Sequence, residues 1–192
     1  MKINAHGFWE DMSVHDVSKE HAFDSRLCQA ITQFFIDEHA TTIVDLGCGS
    51  GLYTNALNNE HMTCDGFDGN PNTPVLTESK CNILDLSQMH TFETPYHWVL
   101  SLEVGEHLPK EFEEKFIDNI CNACERGMVI SWAVKGQGGM GHVNCQNNDY
   151  VRETIEQKGF LYDVESSNHF RKKCQLSWFR NTVMVFRKKP DV

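Results

Sequence analysis

Three groups of residues in this 192-residue chain have types and spacings suited to chemistry. The first is Ile43-Val44-Asp45-Leu46-Gly47-Cys48-Gly49-Ser50-Gly51, an apolar run that ends in an acid and a turn with glycine at alternate positions. Glycines let such a turn adopt positive φ and let a ligand touch bare backbone. A helix starting behind it presents unpaired N–H groups and partial positive charge. The second group is Asp68 and Asp85, each at the end of a short apolar stretch. The third comprises two separate stretches, Glu103-Val104-Gly105-Glu106-His107 and residues 136–144, the latter a loop with four glycines in six positions followed by His142 and Asn144. Carboxylates beside imidazoles are a set for proton transfer.

These groups need a scaffold, and the chain alternates helical and extended patterns. Phe23, Leu27, Ala30, Ile31 and Phe34 recur at spacings of three and four and predict a helix over 21–38. Strands are expected at 42–46, 62–67, 82–84, 98–102 and 128–133. Helices are expected at 52–58, at 109–124, and from Asn147 or Asn148 to a stop at Gly159. Strands at 160–164 and 182–187, with a short helix between them, complete the chain. This order predicts one α/β domain with a doubly wound, mostly parallel sheet. Ligands in such sheets bind beyond the carboxyl ends of the strands. Asp45, Asp68, Asp85, Glu103 and the loop after Ala133 should therefore converge on one edge.

The spacing of the glycine turn limits its ligand. No Lys follows it, so it is not a phosphate loop. A dinucleotide fingerprint would place Leu52 where helix and strand must touch through a small residue. The run instead resembles motif I of the class I S-adenosylmethionine-dependent (SAM-dependent) methyltransferases, (V/I)LDxGxGxG, with Asp45, Gly47, Gly49 and Gly51 at its defining positions. The resemblance continues with Gly66-Phe67-Asp68, whose acid follows Asp45 by 23 residues, and with Ile83-Leu84-Asp85-Leu86. Residues 96–108 are similar to the family's YDxVxSxxVLEHL segment, except that Gly105 replaces a large apolar residue. Asn181-Thr182-Val183-Met184-Val185-Phe186-Arg187-Lys188 resembles its closing antiparallel strand. In all, the likeness covers residues 40–188.

The resemblance implies a seven-stranded sheet of order 3-2-1-4-5-7-6 with strand 7 antiparallel, and S-adenosyl-L-methionine as cofactor. It implies Asp45 near the methionine amino group, Asp68 on the ribose hydroxyls, Asp85 on the adenine amine, Leu84 or Leu86 along the adenine ring, and Glu103 close by. It also implies that residues 1–40 form a lid segment and helix belonging to the same domain as the cofactor-binding part, 41–192. Trp9, with Phe8 and His15, would then fold over the substrate. Candidates for work on the acceptor are His142, Glu106 and His107 as acid or base groups, with Trp132, Gln137 and Asn144 around the substrate. Transfer from a sulfonium is in-line displacement at an activated carbon, so a base is needed only when the acceptor carries a proton.

Composition narrows the acceptor. The net charge is −10, which repels polyanions, so no nucleic-acid partner is expected. No apolar run spans a bilayer and no apolar leader starts the chain, so a cytoplasmic protein without a membrane partner is expected. The eight cysteines are then reduced. Cys121 and Cys124 have a CxxC spacing without a second pair and share a helical face with Phe112, Phe116, Ile117 and Ile120, so no metal site is expected. The expected protein is a monomer or homodimer that methylates O, N or S of a small molecule. A protein side-chain methyltransferase and a non-catalytic subunit of the same fold stay open as alternatives.

Overall fold

Alternate residues along the central strands belong to two separate cores, and this period of two organises the molecule. The structure is a computed structural model that describes residues 2–10 and 21–190; His15 lies outside the described residues. On β1 (Thr42–Leu46), Ile43 joins one core and Val44 the other. On β4 (Tyr96–Leu102), Trp98 and Leu100 face one way and Val99 the other. On β5 (Cys124–Ser131), Met128 and Ile130 oppose Val129. Strands apolar on both faces must be covered on both faces.

Helix α1 (Ser25–Asp37) covers one face through Leu27, Ile31 and Phe35. Asp24 caps it by accepting the Leu27 N–H at 2.9 Å. The short α2 (Leu52–Leu57) follows the glycine turn on the same face. Next come β2 (Thr63–Asp68), a single turn α3 (Thr73–Leu76) and β3 (Cys81–Ile83). The opposite face is covered by α4 (Glu113–Ala123) through Phe116, Ile117 and Ile120, and by α5 (Asn148–Gln157) through Val151 and Ile155. The chain closes with β6 (Phe160–Tyr162), α6 (Val164–Lys173), α7 (Phe179–Thr182) and β7 (Met184–Lys188).

Among the described residues the sheet has seven strands in the order β3-β2-β1-β4-β5-β7-β6, with β7 antiparallel to both neighbours. This is the expected order. Several boundaries differ from the expected ones, each for a local reason. Asp24 caps α1 four residues into the expected helix. Lys110–Phe112 is a 3₁₀ turn after Pro109, so α4 starts only at Glu113. Asp163 caps α6 and ends β6 two residues early. All eight cysteines are free thiols, and Cys121 and Cys124 are buried in the core. No helix among the described residues is long and apolar enough to cross a membrane.

Candidate active site

The carboxyl ends of β1, β2 and β4 open into a cleft of about 360 Å³, within the roughly 300–1,000 Å³ usual for small-molecule sites. Its floor is the glycine turn. Gly47 and Gly49 have φ of +86° and +54°, which strain any residue with a side chain. A Cβ on Gly47 would stand 2.3 Å from Val104, and one on Gly49 2.1 Å from His21 Nδ1. The Gly47 and Cys48 N–H groups both donate to Phe67 O, at 2.7 and 2.9 Å, tying the turn to the end of β2. Gly51 lies behind the cleft, where it is the N-cap of α2 at φ +70°.

Three acids line this end. Asp45 accepts the Thr54 hydroxyl at 2.7 Å, and burial pushes its carboxyl up to about 7. Asp68 accepts the Gly49 N–H on one oxygen and the Asn70 N–H on the other, both at 2.9 Å. Asp85 accepts the Ser87 N–H at 2.9 Å, and its other oxygen lies 2.8 Å from His6 Nδ1. Burial works against its charge, but the hydrogen bonds of Ser87 and His6 outweigh it and hold the carboxyl below its ordinary range.

The far end of the cleft is assembled from a 3₁₀ turn, Gly105–His107, and the second glycine loop. Glu103 sits at φ +54°, a left-handed conformation uncommon outside glycine. Its N–H donates to Ser131 Oγ at 2.8 Å, and its carboxylate accepts the Gln137 amide at 2.6 Å and the Thr182 hydroxyl at 3.3 Å. Burial raises its carboxyl against these bonds. Glu106 is fully buried, and neither carboxylate oxygen has a hydrogen-bond partner among the described residues. Burial and then the charge of Glu103 push it well above the carboxylate range. Burial, with the neighbouring His142 and His21, lowers His107 to about 4. His142 Nε2 stands 3.9 Å from Glu106 Oε1, and its ring meets His107 edge-on at 5.0 Å between centroids. Gly139 admits it: a Cβ there would be 2.1 Å from His142 Nε2.

Of the expected site residues, the cleft is lined by Asp45, Gly47, Gly49, Asp68, Asp85 and Glu103, and by His107, Gln137, His142 and Trp9. Five others are placed differently, Gly51 behind the turn among them. Trp132 is core, 1% exposed, with its indole N–H donating to Asn144 O at 2.7 Å. Its ring occupies the space that a side chain at Gly105 would need, 2.4 Å from an added Cβ, which accounts for glycine where the family pattern has a large apolar residue. Asn144 is buried and donates to Glu113 Oε2 at 2.8 Å. Leu84 packs on the core, and Leu86 lines the cleft instead. Glu106 lies behind the lining residues. The sequence also hid contributors: His21, whose Nδ1 accepts the Ser50 N–H at 3.0 Å, and His6 on Asp85. Isolated histidines outside any motif carry no local signal. A single antiparallel β-bridge pairs Ile3 with Trp9, and the Trp9 ring meets His107 and His21 edge-on.

No protein-family model matches the chain, and no curated protein sequence does. Solved structures do match in shape. The magnesium protoporphyrin IX methyltransferase ChlM from Synechocystis PCC 6803, solved with bound SAM, is 16% identical, with a TM-score of 0.65 over 94% of this chain and 86% of its own. A TehB-like SAM-dependent methyltransferase from Corynebacterium glutamicum is 19% identical, with a TM-score of 0.59 over 85% of this chain and 88% of its own. The small RNA methyltransferase HEN1 is 13% identical, with a TM-score of 0.65 over 85% of this chain and 25% of its own. The chain has the class I methyltransferase fold. At these identities the likeness speaks to fold, and the chemistry rests on the residues in the cleft.

Proposed function

We propose that this protein is a SAM-dependent methyltransferase that methylates an O, N or S atom of a small molecule. The observation that carries this is the convergence of Asp45, Asp68 and Asp85 with the bare backbone of Gly47 and Gly49 on one cleft. The donor set fits the cofactor: a buried acid for an ammonium, a carboxylate with free lone pairs for a vicinal diol, a third acid for an amine, and a turn that side chains would block. When bound, the cofactor supplies a methyl group on a sulfonium, activated for displacement. Asp45 and Asp68 orient it from the turn side, while His107, His142, Glu103 and Gln137 form the acceptor end. Residues 6–9, which line the same cleft, act as the lid that excludes water.

Two features favour a small acceptor. The net charge of −10 opposes polyanions, and residues 6–9 line the cleft, narrowing it towards a small acceptor. The test is incubation with methyl-labelled SAM and an extract fractionated into small molecules, protein and RNA. Label is expected in the small-molecule fraction. Label in protein or RNA overturns the acceptor class, and absence of SAM binding by calorimetry overturns the reading as a whole.

A further inference from the structure

We propose that Glu106, His107 and His142 form a binding site for one divalent transition-metal ion, open to the cleft on the side of the two histidines. One donor atom from each of the three lies within 4.8 Å of the other two. The Glu106–His142 separation of 3.9 Å is less than twice a metal–ligand bond of about 2.0–2.2 Å. A tetrahedral ion with such bonds holds its ligands about 3.3–3.6 Å apart, so rotation of the three side chains must draw this pair in by a few tenths of an ångström and any pair near the 4.8 Å limit by roughly 1 Å or more.

The second observation is independent of the spacing. A fully buried carboxylate that accepts no well-formed hydrogen bond, with only the backbone N–H groups of Glu106 and Ala133 near enough to favour its charge, recovers little of its lost hydration. The fold places Glu103, another carboxylate, next to it, and no Lys or Arg among the described residues pairs with either. His107 Nδ1 is buried as well, with the Gly141 backbone against it. A cation at the centre of these groups would let Glu106 carry its charge beside Glu103 and give its carboxylate a partner. The surroundings also orient the ligands: His142 Nδ1 faces Gln137 O at 3.3 Å, which leaves Nε2 directed at Glu106, and Gln137 in turn holds Glu103.

The donor set selects the ion. Two imidazoles with carboxylate favour Mn²⁺, Fe²⁺, Co²⁺ or Zn²⁺ over Mg²⁺ and Ca²⁺, which prefer all-oxygen sites. Three protein ligands leave coordination positions open, and His107 and His142, unlike Glu106, line the cleft. On the reading of the chain as a methyltransferase, the ligand class for those positions is an acceptor hydroxyl, alone or paired with an adjacent oxygen. A bound cation lowers the pKa of such a hydroxyl.

The test is a Co²⁺ titration of chelator-treated full-length protein, followed by visible absorption and calorimetry, with SAM affinity measured on the same samples. One Co²⁺ per chain is expected. Glu106→Gln and His142→Ala should each weaken it roughly tenfold or more, with SAM affinity unchanged, while His169→Ala, on a distant helix, should leave it intact. Should Glu106→Gln fail to fold, His142→Ala on its loop decides. No uptake of Co²⁺ or Mn²⁺ by the wild-type chain, or uptake in both variants as tight as in the wild type, overturns the site. Co²⁺ uptake without SAM binding would keep the site and remove the methyltransferase reading.

Discussion

The two ends of the cleft are built on opposite terms. At the glycine turn every acid has a protein donor: Thr54 for Asp45, Gly49 and Asn70 for Asp68, Ser87 for Asp85. At the other end Glu106 has none among the described residues. The first end comes from strand–turn–helix units whose backbone groups are already aimed at the acids, so it is complete as protein. The second is joined from a 3₁₀ turn and a glycine loop far apart in sequence, and its carboxyls are kept neutral by burial unless a cation enters. The lesson is that an unsatisfied buried group marks where a ligand enters the design more sharply than a satisfied one does.

That contrast sets the largest expected effect, on the pH dependence of stability without metal or cofactor. Glu106, Glu103 and Asp45 all have folded-state pKa values above their unfolded ones. The folded state therefore holds more protons. The stability these groups confer is full below an unfolded pKa of about 4 and is lost as pH rises through the folded values. Between about pH 5 and 8, denaturant unfolding should show falling stability, and Glu106→Gln should flatten that fall the most. Asp45→Asn should flatten a smaller part, finished near pH 7. Equal slopes in all three proteins would mean that the two ends do not differ. The partly exposed Asp85, Glu113 and Asp163 have lowered values and act in a separate window, below the ordinary carboxylate range.

A smaller effect tests the satisfied end. Asp68→Ala should weaken SAM by about 1–3 kcal/mol, the worth of lost charge-assisted hydrogen bonds. It also frees the Gly49 and Asn70 N–H groups. Calorimetry showing unchanged affinity would place the ribose elsewhere.

Legibility followed the same division. The strand order, the glycine turn and the three acids were readable because each belongs to a local strand-to-turn pattern whose period and spacing survive in one dimension. Trp132 and Asn144, expected beside the acceptor, are buried outside the cleft lining for the opposite reason. Trp132 directly follows β5 and Asn144 lies on the return of the long loop after it, where a one-dimensional pattern cannot tell the pocket side from the core side. Trp132 turned inward because Gly105, a residue from another segment, left room for its ring. The Glu106–His107–His142 cluster was visible as three separate candidates but not as one site. Its geometry depends on how the loop after Val134 folds back so that Val143 and Asn144 N–H donate to Glu106 O, both at 2.9 Å. Nothing in the spacing of residues 107 and 142 encodes that return.

The smallest effect belongs to the segment that touches both ends. His6 lies against Asp85 and also 2.8 Å from Ser87 Oγ, while Gly7 packs so closely on the turn after Glu106 that a Cβ there would stand 2.1 Å from His107 O. His6 and Asp85 are both partly open to water, with side chains 39% and 28% exposed, so solvent screens the pair and its worth is at most about 1 kcal/mol. His6→Ala should therefore change SAM affinity by roughly twofold or threefold. If residues 6–9 work as a lid, stopped-flow measurement should place that change in a faster dissociation rate rather than a slower association rate. A loss of tenfold or more would make His6 a direct cofactor contact. An unchanged dissociation rate would make the segment a fixed wall, and the two ends of the cleft would then be linked only through the sheet.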